Sequence, residues 1–114
     1  MSDYEDVAAV SDLAEGEMLG VTLANRQPVC VFNYRGTIGA LGNLCTHALF
    51  HMSDGVLHDD GTIECVWHGA RYDCRTGAVR RHPAEWPLPL YDVRLENGRV
   101  LVGPEVTAPE EHAS

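Results

Sequence analysis

Four residues constrain this chain more than any others. Cys45 and His47 are separated by one residue; Cys65 and His68, separated by two, follow after a gap of 17. Each stretch offers one thiolate and one imidazole in the same order, the ligands that borderline-soft iron, zinc and copper take. Ligands this close on a short loop can be brought to one place, and 17 intervening residues leave room for a hairpin that carries the chain out and returns it.

Two metal sites fit such a set. Two cysteines and two histidines can close a tetrahedral zinc site, but zinc modules usually pair Cys with Cys and His with His, as C-x2-4-C followed by H-x3-5-H. Here each loop mixes the two, and Cys-x-His is tight for a mononuclear chelate. A dinuclear centre accounts better for the order. With both thiolates on one iron and both imidazoles on the other, each loop spans both metals of a [2Fe–2S] cluster.

The stretches CTHALFHMSDG and CVWHGARYDCRTG resemble the two cluster-binding boxes of Rieske proteins, C-x-H and C-x-x-H-G, and the similarity runs through HPAEWPLP to cover roughly residues 4–103. The four ligands, Gly69 and the trailing Tyr72-Asp73 all fall in register. The resemblance implies that Cys45 and Cys65 hold a buried iron and His47 and His68 an outer, solvent-near one. It also implies the fold: an antiparallel base barrel or sandwich from residues 1–42 and 80–103, with a cluster-binding lobe inserted at about 43–79. Gly69 and Gly42 are expected to allow close approach of backbone N–H groups to the cluster.

Replacing two thiolates by neutral imidazoles makes such a centre less negative and easier to reduce than a plant-type one. The respiratory branch of the family ties its loops with a disulfide; the matching positions here are Phe50 and Trp67, so that bridge cannot form. Where that branch has a serine hydroxyl this chain has Ala70, while its tyrosine is kept as Tyr72. Losing a donor destabilises the reduced state, which places the expected potential at the low end, about −150 mV. Val66 stands where proline is common, and Pro83 matches a third loop that covers the cluster.

The rest of the chain reads as short apolar runs between glycine turns with no helical period, an all-β pattern. Strands are expected at Val7–Val10, Met18–Leu23, Val29–Tyr34, Thr37–Leu41, Val56–His58, Thr62–Glu64, Ala70–Asp73, Leu90–Leu95 and Arg99–Val102. His82–Pro89, with three prolines, reads as an unpaired crossing. A single domain is expected over 1–103, followed by a disordered tail at 104–114.

Seventeen acidic residues against eight basic ones give a formal charge of −9, which argues against nucleic acid and anionic membranes and favours basic partner surfaces. No apolar run is long enough to span a membrane and the start lacks a signal-peptide pattern, so a cytoplasmic monomer with reduced thiols is expected. Cys30 reads as a buried apolar thiol and Cys74 as structural. His51 is read as a surface residue, and His58, His82 and His112 carry no motif. Trp67 and Trp86 suit either docking or packing.

Nothing in the chain resembles a catalytic apparatus. The resemblance implies one-electron shuttling of the kind done by Rieske-type ferredoxins of bacterial aromatic ring-hydroxylating dioxygenase systems. Such proteins take electrons from an NAD(P)H-dependent flavin reductase and pass them to a terminal Rieske oxygenase. Ala48, Leu49, Phe50 and Trp67 would form an apolar rim at the docking tip. The alternatives are the small Rieske subunit of an NAD(P)H-dependent nitrite reductase and a zinc-stabilised interaction module.

Overall fold

The computed structural model describes residues 4–44, 50–66, 69–81 and 87–106. Among the described residues, ten strands form two antiparallel sheets. The larger takes β1 (Glu5–Ala9), β2 (Met18–Thr22), β3 (Pro28–Tyr34), β4 (Thr37–Gly42), β9 (Leu90–Glu96) and β10 (Arg99–Val106), in the spatial order β1-β10-β9-β4-β3-β2. The smaller takes β5 (Val56–Leu57), β6 (Thr62–Glu64), β7 (Arg71–Asp73) and β8 (Val79–Arg81) in chain order. The second sheet is thus inserted between β4 and β9 of the first. Among the described residues, no helix is long and apolar enough to cross a membrane.

Two turns set the register of the base. At Arg35-Gly36, between β3 and β4, and at Asn97-Gly98, between β9 and β10, both central residues have positive φ. That is the conformation whose twist matches the strands it joins, and Asn-Gly adopts it at little cost.

β3 separates two cores. Val29 and Val31 face one with Leu13, Ala40, Tyr91, Val100 and Val102. Cys30 and Phe32 face the other with Leu41, Met52, Ile63, Cys65, Tyr72, Cys74 and Leu88. The second core is filled from both sheets, so the inserted lobe has no separate interior. Cys30 and Cys74 are fully buried in it. Burial pushes the Cys30 thiol up to about 12, with Cys74 adding to the effect, and the Cys74 thiol up to about 11, with Asp73 adding. Both stay protonated and pack as small apolar groups, as expected.

Three strand segments differ from expectation. β1 starts at Glu5 rather than Val7 and ends at Ala9, Val10 opening a turn of 3-10 helix. Val79–Arg81 pairs with β7 as a fourth lobe strand, where the residues from 80 onward were assigned to the base. β10 runs past Val102 through Pro104 to Val106, although the ordered fold was expected to stop at 103. A shift in register between Val102 and Glu105 places Pro104 at an irregularity, where its missing N–H breaks no ladder bond. Residues 107–114, the rest of the expected tail, lie outside the described residues.

The crossing back to the base is fixed at Gly77, whose φ is +77°. Its carbonyl accepts from Leu88 N at 2.8 Å, and a Cβ there would lie 2.2 Å from the Leu88 carbonyl oxygen. Gly77→Ala is therefore expected to destabilise the fold by about 2–4 kcal/mol, from left-handed strain plus a backbone clash. A urea midpoint indistinguishable from that of the parent would contradict this.

Candidate functional site

The two Cys/His stretches leave the fold through two closed necks. The first opens at Asn43, which is 4% exposed at the end of β4. Its backbone N–H donates to Pro28 O and its carbonyl accepts from Met52 N at 2.6 Å. Its side-chain oxygen accepts from Ser53 N at 2.8 Å, and its amide donates to Ser53 Oγ at 3.1 Å. Leu44 and His51 then form a β-bridge, pinching off the segment between them. On the far side of the clamp, Gly20 of β2 leaves the space it needs; a Cβ there would lie 2.7 Å from Ser53 Oγ.

The second neck continues the β6–β7 hairpin. Glu64 pairs with Arg71 in register, and Cys65 N donates to Ala70 O at 2.7 Å, closing the turn 65–70. Gly69 has φ +74°, as a tight return requires. The necks lie against each other: a Cβ on Gly55, just past the first, would fall 1.9 Å from the Glu64 carbonyl oxygen, just before the second. The described residues that flank the two Cys/His stretches therefore lie side by side.

Of the four expected ligands, Cys65 is described. It is 1% exposed and packed in the core shared with Ala70 and Tyr72. Cys45, His47 and His68 lie outside the described residues, as do Trp67, His82, Pro83, Trp86 and His112. His51 is exposed and holds the first neck through its backbone, consistent with its reading as a surface side chain. Gly42 has a different role from the one expected. A Cβ there would meet the Pro89 ring at 2.8 Å, so Gly42 makes room for the returning chain.

Of the expected apolar rim only Phe50 is described, Ala48, Leu49 and Trp67 lying outside the described residues. Phe50 is 39% exposed, and the structure adds Leu44 and Val66, 37% and 56% exposed, to the same two loops. Sequence patterning passed over both because each sits beside a cysteine that dominates the reading. Beside the second neck, Glu64 Oε1 meets His58 Nε2 at 2.6 Å and Arg71 Nη2 at 3.3 Å. The His58 hydrogen bond, opposed by burial and helped by Arg71, holds the Glu64 carboxyl below its ordinary range. His58 showed no motif because this contact depends on strand register.

Two thiolates and two imidazoles at adjacent, closed necks suit a dinuclear iron–sulfur centre: the donor set is mixed as such a centre needs, and Cys65 is shielded from water. Comparison with known proteins agrees. Residues 3–92 match the Rieske [2Fe-2S] domain model. The chain is 38% identical over 97 residues to the ferredoxin component of the naphthalene 1,2-dioxygenase system of Pseudomonas putida, covering 85% of this chain and 91% of that one. It superposes on the ferredoxin of carbazole 1,9a-dioxygenase from Nocardioides aromaticivorans IC177 with a TM-score of 0.85 at 33% identity, covering 90% and 99% of the two chains. A ferredoxin in complex with the reduced oxygenase of carbazole 1,9a-dioxygenase matches with a TM-score of 0.86 at 28% identity, covering 94% and 98%.

Asp73 supports the lobe from below. It is 4% exposed, accepts from Arg75 N at 2.8 Å, and pairs with Arg80 at 3.0 Å and Arg75 at 3.3 Å. Burial opposes its ionisation, but the hydrogen bonds from Arg75 and Arg80 prevail, and its carboxyl lies below the ordinary value. A depressed carboxylate contributes stability that is complete above its unfolded pKa, about 3.9, and is lost as pH falls through the folded value. Asp73→Asn should therefore narrow its stability deficit against the parent as pH drops below about 4, read from urea midpoints across the acid range.

Proposed function

Because the chain belongs to the Rieske [2Fe–2S] domain family, we propose that it carries single electrons between proteins and performs no chemistry on a substrate itself. Cys45, His47, Cys65 and His68 would hold the cluster through two thiolates and two imidazoles. When bound, the cluster supplies a centre that takes up and gives back one electron. The observation that carries this reading is the pair of necks touching through Gly55 and Glu64, each leading into one Cys/His stretch.

The protein's own residues provide the setting. The Cys65–Ala70 hydrogen bond and the Asn43–Ser53 clamp fix where each loop begins and ends. Burial of Cys65 keeps water from the inner side. Ala70 offers no hydroxyl, so no side-chain donor from that position stabilises added negative charge, and the potential sits near the low end for such centres, about −150 mV. Leu44, Phe50 and Val66 expose apolar side chains beside the two loops for a partner to dock against.

The partners are a flavin-dependent ferredoxin reductase and the terminal oxygenase of an aromatic ring-hydroxylating dioxygenase, and the carrier works as a cytoplasmic monomer. The relative found in complex with its oxygenase supports the second partner. Dithionite-reduced protein is expected to give a rhombic EPR signal with the low average g of a mixed Cys/His cluster, and to restore aromatic hydroxylation when added to reductase and oxygenase. Stable co-purification with a sirohaem subunit would favour the nitrite reductase reading. A colourless protein holding zinc would exclude electron transfer.

Ligand assignment has a separate check. His68→Cys should lower the potential steeply or abolish the cluster, while His51→Ala should leave the EPR signal and the potential unchanged. Loss of signal in the His51 variant would mean that the histidines are wrongly assigned.

A further inference from the structure

The chain's negative charge is not spread evenly over the fold. Residues 56–81 contain the four carboxylates Asp59, Asp60, Glu64 and Asp73 and the four arginines Arg71, Arg75, Arg80 and Arg81, so the whole formal charge of −9 lies outside this segment. Those arginines are half of the basic residues in the protein. All four line one open groove of about 420 Å³ on the outer face of the small sheet, together with Asp60, Thr62 and Asp73.

Strand register explains the arrangement. Ile63 and Tyr72 point into the core, so Glu64 and Arg71 point outward. Arg71 lies opposite Glu64 on one side and opposite Arg81 on the other. The Glu64 pair is favourable; the Arg81 pair sets two like charges directly across a ladder, which costs stability. Glu64 and Asp60 satisfy Arg71 only in part, because its Nε is buried and makes no hydrogen bond. A register shift between Arg71 and Tyr72 leaves Arg80 as the extra residue of a bulge, where Asp73 holds its guanidinium at 3.0 Å. Arg81 is exposed and has no ion pair among the described residues. The row is thus short of one carboxylate, and it begins two residues after Gly69, at the foot of the second ligand loop.

We infer that this arginine face is a docking surface for a carboxylate-bearing surface segment of a protein with which the carrier exchanges electrons. This rests on the electron-carrier reading and adds an orientation to it. An acidic segment laid along Arg71 and Arg81 brings the partner to the foot of the second ligand loop, while the rest of the chain, which carries the net negative charge, disfavours other approaches. Guanidiniums suit this work because their planar forks bind carboxylates in two-point fashion, and those of Arg71, Arg75 and Arg80 are already held in place.

The test uses the whole cluster-bearing protein and a dye-labelled hexaglutamate peptide, followed by fluorescence anisotropy at low ionic strength. Binding is expected to weaken about tenfold in Arg81→Glu, to be largely kept in Arg81→Lys, and to change little in Arg26→Glu, on a turn of the base. In a reconstituted system, Arg81→Glu should slow electron delivery while leaving the EPR signal intact. No peptide binding, or equal weakening in Arg26→Glu, would overturn the inference. So would tight binding of inorganic pyrophosphate without peptide binding, which would mark a small-anion pocket. An absent EPR signal in the parent protein would instead defeat the electron-carrier reading, whatever the peptide does.

Discussion

Burial of β3 on both faces is the constraint on which the rest of the molecule depends. Val29 and Val31 anchor the interior of the base, while Cys30 and Phe32 anchor the layer between base and lobe. Each large apolar side chain removed from water contributes about 1.5–3 kcal/mol, so a strand that serves two cores stabilises both at once. The lobe needs this support. Its strands are two or three residues long, too short for a sheet to stand alone in water. Its interior is completed by side chains that belong to the other sheet.

That dependence shapes the site. Both ligand stretches grow from the seam between the sheets, where Met52, Cys65 and Ala70 meet Leu41 and Phe32. Asn43 closes one neck with both side-chain polar atoms and both backbone groups, which leaves little freedom where β4 becomes loop. The hairpin hydrogen bond from Cys65 to Ala70 closes the other. The described ends of both loops are thereby tethered and backed by the shared core.

The all-β architecture was legible because its signals are local. Arg35-Gly36 and Asn97-Gly98 announce hairpins from the residues that tolerate positive φ, and the apolar runs between turns mark the strands. The Cys/His spacing announced the chemistry for the same reason. Features that depend on pairing were hidden. Val79–Arg81 is polar and follows a glycine turn, so only its partner β7 makes it a strand. Pro104 read as an end because proline usually breaks a ladder, but an irregularity in β10 absorbs it. Asn43 looked like a loop opener, since its clamp reaches ten residues onward. Net charge is a single number, and it concealed an arginine-lined groove in an acidic protein.

The two spare cysteines have a consequence of their own. A thiol reacts through its thiolate, and thiols with pKa values of about 12 and 11, fully enclosed, offer almost none at neutral pH. An alkylating reagent must wait until the layer between the sheets parts. Cys30 belongs to the base and Cys74 to the lobe, on opposite walls of that layer. Their consumption by such a reagent therefore times the breathing of the seam itself.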